Sequence, residues 1–243
     1  MLPELILKEE RKDNFSLLFV LGLISSLTGF SAAKVLFPSE VSVLTVIFAS
    51  IPLVYPLTTK FLADEKRKAE SYFEEVEIYG SLFAGEALGF MLISLFSPGA
   101  LSLQASAAGI SGNAVSPGFF FQVLSNNLMV FSGILLVSAI VGSAGAFILV
   151  WNASVLGRFF ASLINRLEGF RVLTGTSETA SPLAYVPHAS FEMAGFILAG
   201  ISGSMISAAV YREHFDRRKW LDILKLVVLG LVFVLSGAIL EAA

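Results

Sequence analysis

Residues 119–164 read FFFQVLSNNLMVFSGILLVSAIVGSAGAFILVWNASVLGRFFASLI, 46 residues with one charged side chain, Arg158, and no charged loop. An apolar helix crosses about 30 Å of hydrocarbon in roughly 20 residues, so this stretch is too long for one span and long enough for two. It is interrupted by Gly142-Ser143-Ala144-Gly145, and paired glycines are where a helical hairpin can turn. The reading is two spans, over 119–141 and 145–163, joined by a tight turn.

Working outward, the same length criterion gives spans over 15–37, 42–62, 78–96, 186–211 and 220–240. The expectation is an all-α, polytopic transmembrane bundle of seven spans forming a single domain over residues 1–243. Composition agrees: 56% of residues are hydrophobic, 14% are charged and the mean hydropathy is +0.81, against roughly 45–50% apolar residues in soluble domains. The first run is longer than the roughly 7–15 apolar residues of a signal-peptide core. Glu9 and Glu10 mix with Lys8, Arg11 and Lys12 before it, so it reads as a retained span. A net charge of -3 with short basic clusters speaks against a nucleic-acid partner. The absence of cysteine removes disulfides, thiolate nucleophiles and Cys-rich metal sites.

Charge sets the orientation. Lys60, Lys66, Arg67 and Lys68 flank one connection, and Arg212, Arg217, Arg218 and Lys219 fill another. The positive-inside rule places both in the cytoplasm. Seven spans put these loops and the amino terminus on one side, whereas six would separate the basic clusters. The amino end is therefore expected to be cytoplasmic, with Arg166 and Arg171 dissenting on the far side. The expected location is the cell membrane, with multiple passes.

Two connections have contrasting chemistry. Residues 97–118 lack charge and are rich in Ser, Gly and Ala, so the segment dips into the outer membrane surface, packs over the helices, or is an uncharged external loop. Residues 63–77 carry charges of both signs and suit a solvated helical extension. Lys34, near the outer end of the first span, can snorkel to the interface.

Ionisable side chains inside a span cost at least ~2.5 kcal/mol even on lenient scales, so they are where function is sought. His188 and Glu192 are four residues apart on one helix face. Asn126 and Asn127 lie two turns below the outer start of the fourth span, Arg158 approaches the outer side on the fifth, and Glu241 ends the seventh. Glu86 sits near the middle of the third, where Arg158 is a candidate counter-ion, and with Asn152 these residues are expected to gather as one buried polar cluster in the outer half of the bundle. Interhelical hydrogen bonding is the plainest reading, worth on average ~0.6 kcal/mol per contact in membranes. A metal such as zinc is the second: His188 and Glu192 are suitable ligands, but a further one, Glu86 or Glu241, would have to complete the site. A proton or ion path is the third. Small residues also recur at four-residue intervals, as Ser81, Gly85 and Gly89 and as Gly195, Ala199, Gly203 and Ser207. Such stripes allow close helix packing, within one chain by preference and also across a homodimer.

Several of these residues occur in a familiar order: Asn126-Asn127, Trp151-Asn152-Ala153 followed by Gly157, Pro187-His188-Ala189-Ser190-Phe191-Glu192, and Leu240-Glu241. In that order and spacing residues 119–243 resemble the stage II sporulation protein M family of integral membrane proteins. The Pro-His-x-x-x-Glu segment is the most specific element. Ala153 and Ala189 stand where the family usually has glycine, a mild departure. The resemblance carries over Asn126, Asn127, Asn152, His188, Glu192 and Glu241 as a shared polar site. It implies a membrane component that recruits cell-wall hydrolases during engulfment in spore formers, and an unassigned role elsewhere. The functional expectation is a membrane-embedded scaffold that assembles with other membrane or envelope proteins, and no residue spacing is specific enough to name a reaction. The alternatives are an ion- or proton-coupled transporter or channel, and a metal-dependent intramembrane enzyme.

Overall fold

A computed structural model describes residues 15–67, 73–109, 119–167, 185–213 and 216–242. Seven helices long and apolar enough to cross a membrane run through it. They are α1 (Phe15–Leu36), α2 (Val41–Arg67), α3 (Phe73–Phe96), α5 (Phe119–Val141), α6 (Ala146–Leu167), α7 (Tyr185–Tyr211) and α8 (Arg217–Ala242), with a short α4 (Ser102–Gly109) between α3 and α5. Among the described residues there is no strand.

The helices pair in two groups, one around α3 and one around α7. α1 packs on α2 and α3, and α3 on α6; α7 packs on α5 and α8. In α7, 72% of the most apolar window is buried, against 28% in α5 and in α8, so α7 is the most enclosed span. A helix apolar on every side suits such a position, whereas α8 turns Leu224, Val228, Val232 and Leu235 outward, as a lipid-facing helix does.

Glycines set the closest approaches. A Cβ on Gly29 would lie 2.6 Å from the Ala49 amide nitrogen of α2, and one on Gly157 would lie 2.5 Å from the Ala87 carbonyl oxygen of α3. Gly22 and Gly85 abut the backbones of α3 and α1 respectively, and Gly89 abuts Ser26. Gly195 faces α8 at Gly230 and Val234, while Gly203 faces α5 at Leu135 and Ser138. The glycines of both small-residue stripes thus pack within the chain, and the α7 stripe serves two neighbours.

The α5–α6 hairpin turns where the glycines stand. α5 stops at Val141, Gly142 takes φ +69°, and one 3-10 turn over Ser143–Gly145 leads into α6. The Ser143 amide donates to Thr58 Oγ1 of α2 at 3.0 Å, which ties the turn to the bundle. Thr58 belongs to the same end as the basic clusters. There Arg212 Nη2 donates to the Leu62 carbonyl at 3.3 Å, so the two basic connections meet at one end of the bundle, as an odd number of spans requires.

The uncharged connection packs over the opposite end. The Ser42 hydroxyl donates to the Ala100 carbonyl at 2.9 Å and accepts from the Ser102 amide at 3.0 Å. Gln104, fully buried, donates to the Ser42 carbonyl at 2.9 Å. An open cavity of about 580 Å³ remains between this cover and the ends of α1 and α2, with Lys34 and Glu40 on its wall. The Lys34 ammonium stands 5.4 Å from the centroid of the Phe30 ring. Residues 110–118 of the connection, and Arg171, lie outside the described residues.

Within residues 63–77 the helix of α2 runs on to Arg67 and α3 begins at Phe73, a helical extension as expected, but Glu75 is buried instead of solvated. Lys60 on α2 faces Glu74 at 3.3 Å and Glu75 at 3.8 Å on α3, and Glu75 is only 2% exposed. The α3 helix thus starts at Phe73, ahead of the apolar span that begins at residue 78, and its acidic first turn meets a lysine of α2.

Candidate functional site

Proline at 187 falls in the first turn of α7, where its missing N–H costs no intrahelical bond. His188 and Glu192 then follow on successive turns. His188 is buried and Glu192 half-buried. Gly237 of α8 shows where Glu192 lies: a Cβ there would stand 2.5 Å from Glu192 Cγ, and 3.1 Å from the backbone carbonyl oxygen of His188. This part of α7 is therefore pressed against α8 at a point where only a glycine fits.

On its other flank, Glu192 meets α5. Asn127 Nδ2 donates to Glu192 Oε1 at 2.5 Å, and Asn126 Nδ2 donates to Asn127 Oδ1 at 3.3 Å. Asn127 is buried, but Asn126 is exposed on the outside of α5, which differs from a wholly buried cluster. Adjacent helical residues point about 100° apart, so the two asparagines cannot both face α7. Glu241, at the end of α8, is close enough to interact electrostatically with Glu192. One group is thus assembled from α5, α7 and α8, Asn126, Asn127, Glu192 and Glu241, with His188 one turn from Glu192 on α7.

The remaining candidates belong to another interface. Asn152 spends its amide on the Ile148 carbonyl of its own helix at 2.8 Å. Arg158 follows Gly157, the residue of α6 that touches α3. Glu86 is 1% exposed on α3, with Gly22 of α1 against its backbone, and neither carboxyl oxygen has a hydrogen-bond partner among the described residues. Arg158 Nε is likewise buried without one, and the two side chains form no ion pair with each other. The division follows from packing: α6 lies mainly on α3, while α7 lies between α5 and α8, so polar residues at similar depth are carried to different sides. Among the described residues, no three His, Asp or Glu side chains are gathered as a metal-holding group.

A second polar network, at the basic end, escapes a search for charged and amide side chains. Ser143 Oγ lies 3.2 Å from Ser204 Oγ, and Tyr79 Oη lies 3.5 Å from the same serine. With Thr58 and the Lys60–Glu74–Glu75 contacts it ties α2, α3, α7 and the hairpin together. A tyrosine and three hydroxyls within apolar runs were the available signal. Gly237 was also legible in principle, seven residues after Gly230 on the same face of α8.

Comparison with known proteins agrees with the motif order. No curated protein and no solved structure matches the chain. The family model for stage II sporulation protein M matches residues 16–243, which takes in the first three spans as well as the motif-bearing part. With nearly its whole length covered, and with seven apolar helices, this chain belongs to the stage II sporulation protein M family of membrane proteins.

Proposed function

We propose that the protein is a cell-membrane scaffold, whose polar group at the outer end holds α5, α7 and α8 in the arrangement that partner membrane or envelope proteins recognise. The observation that carries this reading is the bond from Asn127 to Glu192, made while Gly237 presses on the other side of Glu192. The carboxylate is used as a joint between three helices, where interhelical hydrogen bonds substitute for the missing hydrophobic drive to associate. Glu192→Gln keeps an acceptor oxygen for Asn127, so a scaffold should retain its fold, its copurifying proteins and its cellular role. Loss of function in that variant with fold and assembly intact would remove the reading.

A second reading, ion or proton transport, is favoured by Glu86, a buried mid-span carboxyl with no hydrogen-bond partner among the described residues. It predicts flux into proteoliposomes that Glu86→Gln abolishes. For a metal at His188 and Glu192, elemental analysis of wild type beside His188→Ala and Glu192→Gln decides: stoichiometric metal lost in both variants would convert the joint into a ligand site.

A further inference from the structure

The outer face of α5 is the wrong surface to leave in lipid. Gln122, Ser125, Asn126, Met129, Ser132, Leu136 and Ile140 are all exposed, and at 100° per residue they form one stripe. Four of these seven are polar. Gln122, Ser125 and Ser132 have no hydrogen-bond partner among the described residues, and Asn126 uses one N–H on Asn127 and leaves its carbonyl oxygen unused. By contrast, the exposed hydroxyls of Thr28, Ser31 and Ser236 on other helices all return to their own backbones. Asn126 lies seven residues into α5, roughly 10 Å below its start, and Ser132 roughly 20 Å below. At those depths no water meets a lipid-facing side chain, and an unpaired amide costs on the order of several kcal/mol.

We infer that this stripe is the contact between two copies of the chain, α5 against α5. The donor and acceptor pattern selects the partner. Amide and hydroxyl groups both donate and accept, and a two-fold axis sets each near its twin, so the stripe is complementary to itself. It carries no charge, so it offers nothing to a partner bearing the opposite one. Ser125, Ser132 and Gly133 permit close approach of two backbones, since a Cβ on Gly133 would meet only the tip of Ile148, at 3.6 Å. The stripe is also continuous with the polar group, because Asn126 donates to Asn127 and Asn127 to Glu192. Pairing of two copies would thereby order the joint that each carries. The inference adds to the scaffold reading and is tested apart from it, since a dimer contact does not depend on what the protein assembles.

The chain has no cysteine, so single substitutions report cleanly. Met129→Cys, at a position 71% exposed on the stripe, is compared with Val232→Cys, 51% exposed on the lipid face of α8. Both are oxidised in the native membrane and run without reductant. The expected result is a band of twice the monomer mass for Met129→Cys, about tenfold stronger than for Val232→Cys. Adding Gln122→Leu to Met129→Cys should weaken it up to about tenfold, the upper range for an intramembrane polar contact. Gln122 is exposed and has no hydrogen-bond partner among the described residues, so this variant is expected to leave the fold intact. No band, equal bands at both positions, a band indifferent to Gln122→Leu, or an adduct with a different protein would each overturn the inference.

Discussion

Asn127 and Glu192 stand 65 residues apart in sequence and meet by hydrogen bond between α5 and α7. The pairing predicts a coupling of ~0.6 kcal/mol, rising to at most about 2, in a double-mutant cycle of Asn127→Leu, Glu192→Leu and the double variant. Unfolding of detergent-solubilised protein in sodium dodecyl sulfate reads it, and strictly additive losses would mean that the bond contributes nothing. A second expectation rests on Gly237. Gly237→Ala sets a methyl 2.5 Å from Glu192 Cγ, whereas Gly99→Ala meets nothing within 4 Å. Overpacking of this kind costs ~1–3 kcal/mol, so Gly237→Ala should lower the unfolding midpoint and Gly99→Ala should leave it unchanged. The i, i+4 spacing made His188 and Glu192 legible from sequence as a pair on one face. Their neighbours were not legible, because helix rotation sends Asn127 inward and Asn126 outward. Sequence depth alone grouped Arg158 and Glu86 with residues of another interface.

At the scale of elements, apolar length was the reliable signal. The expected span 119–141 has the same bounds as α5, and its end is marked by Gly142, whose φ of +69° a helix does not continue through. Where a span begins in charge, as α3 does at Glu74 and Glu75, hydropathy loses the first turn, since a carboxylate facing Lys60 reads the same as one in water. The turn at Gly142 is the element most exposed to a single change. Its φ of +69° is left-handed backbone, which costs a side-chain-bearing residue ~1–2 kcal/mol, and a Cβ there would stand 2.9 Å from Thr58 Cγ2. Gly142→Ala should therefore destabilise the bundle by about 2 kcal/mol. Gly80→Ala, in open space on α3, should be neutral or slightly stabilising by helix propensity. Thermal unfolding of the two variants side by side checks the contrast; equal midpoints would show that the turn relaxes freely.

For the whole molecule, the arrangement depends on parity. Seven apolar helices that each cross the membrane must return both basic clusters to one end, and the Arg212 guanidinium resting on the Leu62 carbonyl shows that they meet there. Charge bias then assigns that end to the cytoplasm and the cover built from Ser102–Gly109 to the outside. The cysteine-free chain again supplies the test. Gly99→Cys lies on the exposed rim of the cover and Arg218→Cys at the exposed start of α8. A membrane-impermeant maleimide applied to intact cells should label Gly99→Cys at once and Arg218→Cys only after permeabilisation. The opposite pattern would keep seven spans and invert the bundle. Labelling of both from one side would require an even number of crossings between residues 99 and 218, against the three made by α5, α6 and α7. Such a result would dissolve the hairpin at Gly142 into the membrane, and with it the geometry that brings Asn127 to Glu192.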